Sequence, residues 1–65
     1  MTVGERIRFF RMKQDMTQAE LAEKAGMSCS QISQWERGKC VPYLANARKL
    51  AAALGTTTYI ILKGE

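Results

Sequence analysis

The chain has 65 residues, too few for a second domain or for a catalytic cleft beside its own core; at this size folding buries only about 60% of the surface that the unfolded chain exposes. Hydrophobic residues make up 46%, which argues against disorder, and the absence of His removes the commonest acid–base group and metal ligand. Ten Lys and Arg against six Asp and Glu give a net charge of +4, which admits nucleic acid or another anionic surface as partner without requiring one.

Helix signals dominate the chain from its start. Val3, Ile7, Phe10 and Gln14 recur at helical spacing and predict a first helix, with Arg11 beside that stripe and an end near Asp15–Met16. Thr17-Gln18-Ala19-Glu20 has the form of a capping box: the Thr17 oxygen can accept from a free backbone N–H, and Glu20 can reach back to Thr17. Leu21, Ala22 and Ala25 then make the apolar stripe of a second helix, which Gly26 stops in the left-handed conformation. Met27 is expected to be buried in the turn.

Ser28 with Gln31 three residues on repeats the box pattern and opens a third helix, running to about Arg37 and ended by Gly38. This helix divides by angle. Ile32 and Trp35 share a buried stripe, whereas Ser30, Ser33, Gln34 and Arg37 point roughly the other way. Surface helices usually carry Glu and Lys there; this one offers small, neutral, hydrogen-bonding groups. Cys40–Val41 is a connection, and Pro42 suits the first turn of a fourth helix. Leu44, Ala47, Leu50, Ala51 and Leu54 give that helix its buried stripe, and Gly55 closes it. The last segment, Thr56 to Leu62, supports two structures. Its β-branched and aromatic residues favour a strand, while a cap at Thr57 followed by Ile61-Leu62 suits a turn or two of helix.

Charge is distributed unevenly. From Arg37 to Lys63 the chain carries Arg37, Lys39, Arg48, Lys49 and Lys63, and no acid until Glu65. Cys29 and Cys40 are the only cysteines; without His they do not make a zinc site, and reduced thiols in a cytoplasmic protein are the simplest reading. The charged N-terminus lacks the form of a signal peptide, and the apolar run Tyr59–Leu62 is far too short to span a membrane.

Two short helices joined through Gly26 define a helix-turn-helix, with Ala22 and Ala25 small enough to let them cross closely. At these residues the chain resembles the phage repressor and Cro family. The likeness runs through TQAELAEKAGMSCSQISQWERGK (residues 17–39), Pro42, the LAAALG of residues 50–55 and the closing IIL. Gln18, Leu21, Ala22, Gly26, Ser28, Ile32, Glu36, Gly38 and Pro42 all stand where the family pattern has them. The resemblance implies an all-α, compact five-helix domain of the lambda-repressor-like kind over residues 1–65, its motif at about 17–37, with the second motif helix in the DNA major groove.

That expectation gives the neutral face a physical purpose. The major groove is about 12 Å wide and accepts an α-helix; Gln can pair two ways with the adenine edge, and Ser lets the helix approach closely. The expected base-reading residues are Ser28, Cys29, Ser30, Gln31 and Gln34, because the N-terminal part of such a helix reaches base edges. Cys29 departs from the long polar or basic residue often found there; contact with a thymine methyl and simple filling of a half-exposed slot both stay open. Gln18, Ser33, Arg37 and Lys39 are expected at phosphates, Gln18 at a helix N-terminus that attracts anions. Solvated side chains are the alternative for Gln18, Arg37 and Lys39. The family pairs a Glu at position 36 with an Arg on the first helix, and Arg11 is the match, so Arg11–Glu36 is expected as a structural ion pair. Tyr59, Ile60, Phe9 and Met12 are surplus to the core, and a two-fold homodimer through Tyr59 and Ile60, with Phe9 contributing, is expected; the alternative is local packing of the tail on the first helix.

The resulting reading is a sequence-specific, double-stranded DNA-binding transcriptional regulator, a repressor acting as a dimer on a palindromic operator, cytoplasmic and nucleoid-associated. It needs no cofactor, metal, small-molecule ligand or membrane, and it is not an enzyme. The rival is an antitoxin-like protein-interaction module whose DNA binding is secondary.

Overall fold

A computed structural model describes residues 1–64. The first helix, α1, spans Val3–Lys13, and its start is set by a capping box that the sequence reading did not single out. Thr2 Oγ1 accepts from the Glu5 backbone N–H at 3.1 Å, and Glu5 Oε1 accepts from the Thr2 N–H at 2.7 Å. The hydrogen bond from the Thr2 backbone holds the Glu5 carboxyl below its ordinary range. The helix ends slightly earlier than expected, with Gln14 as its C-cap, because Asp15 turns the backbone to φ 55°. Gln14 then ties the helix end to a distant one, donating from Nε2 to the Leu54 carbonyl at 2.6 Å.

The second helix, α2, spans Gln18–Ala25, and the third, α3, spans Cys29–Glu36. Both expected capping boxes form, Thr17 with Glu20 and Ser28 with Gln31. Gly26 carries the turn between them at φ 72°, a conformation that costs a residue with a Cβ free energy. Met27 is half-buried rather than buried, packing against the edge of the core.

The fourth helix, α4, spans Leu44–Leu54, with Tyr43 as N-cap. Pro42 therefore stands one residue before the cap, outside the first turn, where it is buried in the connection. Ala47, Leu50, Ala51 and Leu54 form the buried stripe as expected, but Leu44 does not join it and is 53% exposed. Periodicity gives a residue's angle and not its depth, and Leu44 opens the helix. Ala53 joins the buried set instead. The ambiguous tail is a fifth helix, α5, at Thr58–Lys63, started by Thr57, whose hydroxyl accepts from the Ile60 N–H at 3.1 Å. Among the described residues there is no strand.

These helices enclose one core. Ile7, Leu21, Ile32, Leu50, Leu54 and Ile61 are its fully buried large side chains, one or two from each helix. The α2–α3 pair packs on α1 through α3 and on α4 through α2, while α5 closes against α4 and α1. One close approach is between α1 and the end of α3. Gly4 is buried there, and a Cβ in its place would overlap the Trp35 carbonyl.

Gly4→Ala separates packing from propensity. In a free helix the change is favourable by about 0.5–1 kcal/mol. Here the overlap is with backbone, which cannot swing aside, so the variant is expected to lose about 1–3 kcal/mol, read as a lower melting temperature by circular dichroism. A melting temperature equal to or above that of the parent would mean that α1 and α3 are not in this contact.

Candidate nucleic-acid interface

The neutral face is built by how α3 is held from behind. Ile32 and Trp35 are buried on one side of the helix; Ser30, Gln34 and Arg37, at intervals of four and three residues, are exposed on the other. Cys29 and Gln31 are exposed at its flanks, and Ser33 is half-buried. The helix ends in a double backbone closure. Gly38 N–H donates to the Trp35 carbonyl at 3.1 Å and Lys39 N–H to the Gln34 carbonyl at 3.0 Å, the Schellman pattern. Arg37 and Lys39 are thus set, exposed, on either side of Gly38 at φ 77°.

The expected ion pair is present and is the polar anchor of α3. Arg11 Nε donates to Glu36 Oε2 at 2.7 Å and Arg11 Nη2 to Glu36 Oε1 at 3.0 Å, a two-point contact. The side chains are 13% and 5% exposed. Arg11 Nη1 donates in addition to the Met16 carbonyl at 2.7 Å, which fixes the α1–α2 turn. Hydrogen bonding to Glu36 raises the Arg11 guanidinium above its ordinary range. Gln18, half-buried at the start of α2, joins the pair by donating from Nε2 to Glu36 Oε1 at 3.1 Å. Three helices therefore meet on one carboxylate.

At the start of α3 the Ser28 hydroxyl accepts from the Gln31 N–H at 3.2 Å, while Gln31 Oε1 accepts from the Ser28 N–H at 3.0 Å and from its hydroxyl at 3.2 Å. Sequence reasoning missed what lies beside this face. A groove of about 280 Å³ is lined by Gln31, Gln34, Cys40, Val41, Tyr43 and Asn46, among others. The Cys40 thiol sits 4.0 Å from Gln34 Oε1, at the limit of a weak S–H donation. A loop of exposed side chains before a helix leaves no periodic trace in a sequence. Among the described residues, no cluster of three potential metal ligands is present and no helix is long and apolar enough to cross a membrane.

Residues 7–61 match the helix-turn-helix family. This chain is a member of that family. Its helix-turn-helix unit is similar to the immunity repressor protein of Bacillus phage phi105, with 40% identity over 65 residues, covering 100% of this chain and 45% of the relative. It is also similar to repressor protein C2 of Salmonella phage P22, with 41% identity over 63 residues, covering 97% of this chain and 29% of that protein. The chain thus spans less than half the length of these relatives. A crystal structure of the P22 c2 repressor in complex with a synthetic operator superimposes with a TM-score of 0.94 at 40% identity, covering 100% of this chain and 98% of that one.

The helix-turn-helix brings Ser28, Cys29, Ser30, Gln31, Gln34, Arg37 and Lys39 together along one helix and its end, with Gln18 behind them on Glu36. Tyr59 and Phe9 lie elsewhere, on α5 and α1, at 58% and 49% exposure; Met12 is exposed and Ile60 half-buried.

The Ser28 box is expected to carry a measurable part of the stability of α3. Ser28→Ala should cost about 1 kcal/mol, seen as a lower urea midpoint, and Gln31→Ala less, since it removes only the reciprocal arm. An unchanged midpoint for Ser28→Ala would mean that the box does not hold the helix start.

Proposed function

We propose that residues 1–65 form a single DNA-binding domain of a transcriptional repressor, which reads a palindromic operator as a homodimer with α3 in the major groove. One observation carries this reading. The outward face of α3 bears no acid, is neutral along Ser30 and Gln34 and ends in Arg37, while Ile32, Trp35 and the Arg11–Glu36 pair hold it rigidly from behind. Such a helix fits a groove that is walled by phosphates and floored by hydrogen-bonding base edges.

The roles divide by position. Ser28, Cys29, Ser30, Gln31 and Gln34 read bases. Gln34 has both ends of its amide available apart from the weak Cys40 contact, so it is suited to two-point pairing with adenine. Gln31 has Oε1 engaged by Ser28; its Nε2 donates to a base directly, and two-point pairing requires opening the box. Gln18 keeps one amide hydrogen beyond its bond to Glu36 and takes a phosphate at the N-terminus of α2. Ser33, Arg37 and Lys39 take further phosphates. The activity is binding and not catalysis, with neither metal nor cofactor, and its place is the cytoplasm, at the nucleoid. The names of the relatives, both repressors, and the operator bound to one of them support the reading.

The homodimer uses Tyr59 and Ile60, with Phe9 contributing. Paired half-sites lie about 34 Å apart, so two copies double the number of bases read. The exposed Phe9 and Met12 also favour a second reading, a protein-interaction module of the antitoxin kind.

In vitro selection from random duplex DNA tests the reading directly: enrichment of paired, inverted half-sites is expected, and recovery of no preferred sequence would refute it. On the selected site Gln34→Ala is expected to cost about 1–3 kcal/mol and to relax preference at its base. Lys39→Ala should weaken all sequences alike and lower the salt slope by about 1. In sedimentation, Ile60→Asp is expected to run as a monomer beside a dimeric parent; if both sediment as the same species, Ile60 is not at the interface.

A further inference from the structure

Arg6 makes three side-chain hydrogen bonds away from the proposed DNA face, as many as Arg11 makes. From α1 it reaches the far end of the chain, donating from Nε to the Ile61 carbonyl at 2.8 Å and from Nη2 to the Leu62 carbonyl at 2.8 Å. Nη1 donates to the Met1 carbonyl at 2.6 Å. Ile61 and Leu62 lie in the last turn of α5, where helix carbonyls lack partners along the helix, and a cation at that end is favoured by the helix dipole as well. The guanidinium is planar, so two of its donors set the direction of the helix end as well as holding it.

A second observation concerns the same place. Gly64 caps α5 at φ 80°, and a Cβ there would lie 2.7 Å from Arg6 Nη1 and 3.0 Å from its Cδ. Gly64 thus supplies the left-handed turn and the space into which Arg6 fits.

The contact matters because α5 is short. It has six residues and one fully buried side chain, Ile61, and its apolar packing on α4 and α1 is non-directional. The Arg6 fork adds fixed directions at its end. Arg6 also stands on the helix that carries Arg11, five residues away, and Arg11 fixes α3 through Glu36. One 11-residue helix therefore sets the end of α5 and the end of α3.

We propose that Arg6 is a specificity-determining positioning residue: by fixing the attitude of α5, and so of Tyr59 and Ile60, relative to α3, it sets the spacing between the two DNA half-sites that the dimer accepts. This rests on the dimeric DNA-binding reading above. Arg6 touches no DNA. It determines which spacing is bound, while the residues of α3 determine which bases.

The test uses a duplex library in which two copies of the selected half-site are placed, inverted, at every spacing across a helical turn, and compares the parent with Arg6→Gln and Arg6→Lys. Arg6→Lys keeps the cation on α1 without the planar fork. The parent is expected to enrich one spacing. In both variants that enrichment should fall by about tenfold, the factor expected from losing charge-assisted hydrogen bonds of this kind, while base preference within each half-site is unchanged. Gly64→Ala, which crowds Arg6, should broaden the spacing in the same way. A variant that keeps both its half-site preference and the parent spacing overturns the proposal. So does loss of half-site preference in both Arg6 variants, because Arg6 would then hold the whole domain and not the attitude of α5. If the parent itself shows half-sites with no preferred spacing, the dimer reading fails first, which is a distinct result.

Discussion

The carboxylate of Glu36 is the point on which this structure turns. It is almost wholly buried at the end of α3 and receives Arg11 from α1 at two points and Gln18 from α2 at a third. A buried charge without partners would cost several kcal/mol, so the carboxylate tolerates only arrangements in which those donors reach it. Apolar packing buries Ile32 and Trp35 without a directional bond, whereas a two-point guanidinium contact is lost on a small rotation or slide of α3. The direction of the outward face of α3 is therefore set by polar geometry, and its burial by the hydrophobic core. The close approach of Gly4 to the Trp35 carbonyl serves the same end, since it brings α1 near enough for Arg11 to reach.

This arrangement makes α1 the frame of the domain. Arg11 reaches α3, Gln14 reaches the Leu54 carbonyl at the end of α4, and Arg6 reaches the end of α5. In each case the receiving group lies at or near a helix end, where backbone or carboxylate oxygens need donors. Binding a rigid duplex asks for this kind of control. On the proposed reading, a helix set in a groove must be placed to within a fraction of a base-pair rise.

The legible parts of the sequence were those with local causes. Thr17 with Glu20 and Ser28 with Gln31 give their helix starts away within four residues, and Gly26 marks the turn between them. Spacing separated buried Ile32 and Trp35 from exposed Ser30, Gln34 and Arg37, but Ser33, expected on the outward side, is half-buried. Arg11–Glu36 came from family resemblance, since 25 residues separate the partners and no local rule joins them. The same distance hid Arg6, whose acceptors are backbone carbonyls 55 and 56 residues on and leave no sequence signal at all. Leu44 was misplaced because a helical period is blind to how far along its axis a core extends. The helix over Thr58–Lys63 stayed open because its β-branched residues argue for a strand, and only the Thr57 cap and packing against α1 and α4 decide otherwise. Spacing along α3 marked its exposed residues but not the groove beside them, formed with Val41, Tyr43 and Asn46.

Arg11 and Glu36 act on each other and not merely as two separately placed charges. A double-mutant cycle with Arg11→Met and Glu36→Gln tests it, with urea unfolding followed in a sulfate buffer that keeps every variant folded. The two losses are expected to be strongly non-additive, with a coupling of about 1–3 kcal/mol. Losses that add to within about 0.5 kcal/mol would contradict it, and would leave α3 held by its apolar side alone.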